Sequence, residues 1–81
     1  MQKIKILSVI VEGTERLAPE DIIRSSRLYE GREVDFEDIQ KSIKTLWSLN
    51  QFNDIQVFVD EESDDGVHLR IVVVELPILE S

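Results

Sequence analysis

The stretch from Asp35 to Val59 constrains the fold more than any other, because a helix, a short polar joint and a strand follow one another with almost no slack. Phe36, Ile39, Ile43, Leu46 and Trp47 recur at steps of 3, 4, 3 and 1, which places them on one face of a helix. Asp35 is positioned to cap the first turn, and Glu37 and Asp38 put negative charge at the positive end of the helix dipole. Glu37 precedes Lys41 by four residues on the opposite face, where a solvated pairing is expected. Asn50 suits the left-handed conformation that ends a helix. Phe52 and Asn53-Asp54 then turn the chain into Ile55, Val57 and Val59, an alternating strand whose apolar side points inward. A helix and a strand joined this tightly must fold against each other, and they form the main wall of the core.

The flanking segments supply the remaining layers. Ile4 to Val11 is rich in β-branched residues and reads as a first strand, ended by Glu12-Gly13-Thr14. Pro19 suits the first position of a helix, with Glu20 and Asp21 in its first turn and an end before Gly31. Tyr29 to Arg32 then form the joint to the second helix. Asp60 to Asp65 hold five carboxylates in six residues, but a calcium loop would need glycine sixth and a carboxylate twelfth, where Asp65 and Ile71 stand. A solvated hairpin turn closed by Asp65-Gly66 is the simpler reading. Leu69, Ile71 and Val73 alternate with His68, Arg70, Val72 and Val74 in a last strand, stopped by Pro77.

The order is therefore β-α-α-β-β. A helical hairpin between the first two strands makes them antiparallel, and the third strand, hairpin partner of the second, runs parallel to the first. The expected fold class is α+β: a mixed three-stranded sheet in order 1-3-2 with both helices packed on one face. The last strand lies in the centre, and strand 54–60 is left as an open edge.

Eighty-one residues make a single domain, 1–81, with its core at about 4–77, and the chain is expected to be a piece excised from a longer multi-domain protein. Seventeen acidic against nine basic residues give a net charge of −8, which argues against a nucleic-acid partner, as does the lack of any Gly-x-x-Gly loop or basic stripe. The apolar run after Ile4 is too short to span a bilayer. There is no cysteine, and His68 has no Ser/Asp constellation around it. Ser25-Ser26 read as solvated residues on the polar side of a short helix. No catalytic, cofactor or metal set is expected, and the chain reads as no enzyme.

Gly13 after an alternating strand, Gly31 before the second helix, Asp38-Ile39, Ile43 and Leu46 along it, Phe52-Asn53-Asp54-Ile55 with Val57, and Glu75-x-Pro77 together resemble the POTRA domain. POTRA domains are the periplasmic repeats of outer-membrane barrel-assembly proteins, the BamA family. The register and the closing Glu75-Leu76-Pro77-Ile78 look most like a first POTRA repeat, and Asn50 stands where the family usually has glycine. The resemblance implies a location at the periplasmic face of the bacterial outer membrane. It also implies partners among nascent outer-membrane proteins, assembly lipoproteins or adjacent POTRA domains. Related domains serve two-partner secretion transporters, chloroplast import pores and division proteins, where a spacer or scaffold role without client binding is the alternative.

Two surfaces are candidates for partners. An open strand edge carries unpaired N–H and C=O groups that an extended chain can join, here along Asp54, Gln56, Phe58 and Asp60. Strict alternation also expects Leu7, Val9 and Val11 to face the helices with Leu69, Ile71 and Val73. The outer sheet face would then carry Ile4, Ile6, Ile10, Phe58, Val72 and Val74, a patch open to docking or self-association unless Arg70 and Lys5 shield it.

Overall fold

A computed structural model describes residues 3–77. The elements run β1 (Ile4–Glu12), α1 (Pro19–Ser26), β2 (Glu33–Val34), α2 (Phe36–Ser48), β3 (Phe52–Ser63) and β4 (Gly66–Glu75). The sheet has four strands in order β2-β1-β4-β3, not three. β4 lies between β1 and β3 as expected, parallel to the first and antiparallel to the second. The added strand arises at the joint between the helices. Gly31 donates its N–H to the Ile6 carbonyl at 2.7 Å, Ile6 donates to the Arg32 carbonyl at 2.8 Å, and Glu33 and Val34 then pair with Lys5 and Ile4.

The helix boundaries follow the local chemistry. Asp35 caps α2 by accepting from the Asp38 N–H, and the Asp38 carboxylate accepts from the Asp35 N–H in return, a reciprocal capping box. Asn50 ends the helix at φ 56°. Pro19 opens α1, and Arg27 closes it in the left-handed region at φ 61°.

The core joins Ile6, Ile22, Leu28, Val34, Leu46, Phe52 and Ile55 to Val67, Leu69, Ile71 and Val73 of β4. Its membership corrects two expectations on β1. Ile6 is fully buried in the core rather than on the outer face, and Ile4 borders a cavity with Val34, Ile39 and Val67 on the helix side. The cause is a register shift between Ile6 and Ser8, with Leu7 the extra residue. One inserted residue reverses the alternation, so Ile4 and Ile6 share the helix side with Val9 and Val11.

Two corrections fall on α2. Ser42 and Leu46 are its buried residues, whereas Phe36 is 71% and Trp47 42% exposed at the two ends of the helix. Ser42 donates its hydroxyl to the Ser26 carbonyl at 2.7 Å and ties the helices together. Ser26 is buried rather than solvated, donating to the Ile23 carbonyl and accepting from the Leu28 N–H. Glu37 and Lys41 form no ion pair among the described residues; Lys41 borders the cleft between the helices instead.

Two carboxylates brace the ends of the fold. Glu75 accepts the backbone N–H groups of Glu15, Arg16 and Leu17, while the Arg16 guanidinium donates to the Leu76 carbonyl at 2.7 Å. The Glu15 N–H bond lowers the Glu75 pKa most; burial opposes it, and the other two N–H groups and the Arg16 charge reinforce it. Asp38 is lowered in the same way, first by the Asp35 N–H, against burial, then by Lys3 and Arg32. Both folded values lie below the unfolded ones. Their contribution to stability is therefore complete above the ordinary carboxylate range of about 4 and is lost as pH falls through the folded values. The urea midpoint should drop between about pH 5 and about pH 2, and Asp38→Asn with Glu75→Gln should flatten that drop. An unchanged pH slope in the double variant would refute the assignment.

Candidate polypeptide-docking edge

The open edge is built by β3, which is longer than the sequence suggests. It spans twelve residues and takes in the acidic stretch through Ser63, leaving Asp64-Asp65 alone as the turn between paired Ser63 and Gly66. One side of β3 pairs with β4, and the other pairs with no strand among the described residues. Asp54, Gln56 and Phe58 lie opposite Val74, Val72 and Arg70, and a second register shift places Asp60 as an extra residue. Asp54, Gln56, Phe58 and Asp60 are thus brought together on one strand, all exposed. The Gln56 amide donates to Asp54 at 3.3 Å.

Ile55 and Val57 pack inward as expected, but Val59 is 53% exposed. It borders an apolar cavity of about 370 Å³ near the start of α2, shared with Ile4, Val34, Phe36, Ile39 and Val67. This groove was not foreseen. The signal was present in Phe36, whose aromatic ring occupies the first helical position rather than the middle of the stripe.

One long side chain spans strands on the outer face of the sheet. Arg70 lies over the Phe58 ring at 5.2 Å, reaches Asp60 at 3.1 Å and approaches Glu12 at 3.9 Å. Arg70 lies opposite Ile10, which is 53% exposed; Val74, two positions beyond half-buried Val72, is 47% exposed. Ile6 is absent from this face. His68 shares a 2.6 Å hydrogen bond with Ser8 on the same side. Among the described residues no group of three or more His, Asp or Glu is placed to hold a metal ion, and no helix is long and apolar enough to cross a membrane.

Two helices on one side of a mixed sheet, with a long strand that pairs along one edge only among the described residues, define a two-layer α+β module. Residues 4–76 match the model of the POTRA family, described as a surface antigen variable number repeat, and the chain belongs to that family. It is 34% identical over 76 residues to an outer membrane protein assembly factor BamA of Nitratidesulfovibrio vulgaris, covering 94% of this chain and 10% of that protein. The chain thus spans about a tenth of the relative's length.

Among solved structures it resembles the N-terminal domain of Omp85 from Thermosynechococcus elongatus, with a TM-score of 0.84 at 20% identity over 100% of this chain and 34% of that one. It also resembles POTRA1-2 of the periplasmic domain of Omp85 from Anabaena, with a TM-score of 0.81 at 21% identity, covering 98% and 52%. These likenesses confirm the fold.

Proposed function

We propose that this chain is a non-catalytic periplasmic module that assists assembly of outer-membrane β-barrel proteins, taking extended client or partner segments by strand addition along β3. The observation that carries this reading is the free edge of β3 among the described residues. Family membership and the likeness to an assembly factor give the context. A guest strand there would gain main-chain hydrogen bonds, and its helix-side residues would meet the apolar groove beside Val59. On this reading the edge takes segments of nascent outer-membrane proteins or of assembly lipoproteins. A neighbouring POTRA domain is a further partner, as the multi-domain Omp85 fragments suggest.

One observation favours the spacer alternative, a scaffold that binds no client. Asp54, Asp60, Glu61 and Glu62 with two register shifts are the devices by which edges are guarded against stray pairing. Amide-shift mapping with an unlabelled outer-membrane strand peptide separates the readings. Shifts along Asp54 to Asp60 are expected. Shifts at Ile10, Val72 and Val74 instead would assign docking to the outer face, and none at millimolar peptide would leave a spacer.

A further inference from the structure

A polar cleft of about 330 Å³ lies between α1 and α2, on the side of the molecule that strand addition does not use. Although the protein carries a net charge of −8, three of its nine basic residues, Arg27, Arg32 and Lys41, border this one space. Asp38 is the single carboxylate among them, and it is already engaged by the Asp35 N–H, by Lys3 at 3.4 Å and by Arg32 at 4.0 Å. Arg32 is fixed across the cleft by a 2.6 Å bond to the Arg27 carbonyl. Arg27 and Lys41 have no ion-pair partner among the described residues, and Ser25 lines the same space.

The end of a helix normally repels anions, but here three of the carbonyls at the end of α1 already accept hydrogen bonds. Ile23 accepts from the Arg27 N–H and the Ser26 hydroxyl, Ser26 accepts from Ser42, and Arg27 accepts from Arg32. The left-handed conformation of Arg27, costly for a residue other than glycine or asparagine, ends α1 at the cleft.

We infer that this cleft binds a phosphate group, held between Arg27 and Lys41 with the Ser25 hydroxyl as a third donor. Arg, Lys and hydroxyl donors lining one cleft from two helices can each take a different oxygen of a phosphate group. Free phosphate and a phospholipid headgroup both offer this chemistry.

The test is amide-shift titration of the chain with inorganic phosphate at constant ionic strength, alongside cosedimentation with phosphatidylglycerol and with phosphatidylcholine vesicles. Arg27→Asn, which keeps a residue suited to the left-handed position, and Lys41→Gln are the variants. Saturable shifts confined to 25–27 and 41–45, weakened about tenfold in either variant, would establish the site for the free ion. Variant-sensitive cosedimentation with phosphatidylglycerol alone would establish it for the headgroup. Shifts spread over all basic residues, binding unaffected by both variants, or neither shift nor cosedimentation would overturn the proposal.

Discussion

Gly13→Ala is expected to cost more than about 3 kcal/mol, a large share of the 4–12 kcal/mol or so available to a domain of this size. Gly13 sits at φ 90°, and a Cβ there would lie 1.9 Å from the Val73 carbonyl oxygen and 3.1 Å from its carbon. Both atoms belong to the backbone of the central strand, where Val73 is buried and paired with Ile55, so neither can withdraw. The control is Gly31→Ala. Gly31 has nearly the same φ, 93°, yet nothing within 4 Å of the added carbon, so only the conformational cost of about 1–2 kcal/mol applies. Thermal melts of the two variants should differ by roughly 5–15 °C. Equal melting temperatures would show that the close approach of Gly13 to β4 is not maintained in solution.

The second large effect is expected at Leu46→Ala. Leu46 is fully buried between the helix layer and the sheet, and truncation there should cost about 3–4 kcal/mol through lost transfer energy and the cavity left behind. Trp47, the larger neighbour, is 42% exposed, and its replacement by alanine should cost less. Urea unfolding gives the comparison directly. If Trp47→Ala proved the more damaging, the placement of α2 on the sheet would be wrong.

The ordering of these two residues marks where the sequence could be read and where it could not. Period and capping chemistry located α2, its Asp35 start and its Asn50 end, because those depend on neighbours in the chain. How far each residue of the stripe is covered depends on the extent of the sheet beneath it. Phe36 and Trp47 therefore carry the same pattern as Leu46 without its burial.

The extra residue in β1 left one trace. Lys5 and Ser8 are separated by three positions, and two polar residues at that spacing cannot share one face of an unbroken strand. β2 left none, since two residues cannot display a period and its pairing is set by Gly31 and Arg32 around Ile6. The edge residues were legible because strand order follows from connectivity. The cleft was not, because it needs the angle between two helices and the left-handed end of α1 at Arg27.

The parallel pairing of β1 with β4 has a mechanical consequence. The start of β1 and the end of β4 lie at opposite ends of two neighbouring strands joined from Ile6–Val67 to Glu12–Val72. Tension applied through those two ends would slide one strand along the other, loading the whole ladder at once. Strands pulled from the same end would instead unzip one bond at a time. A module wired in this way resists being drawn out along its own axis.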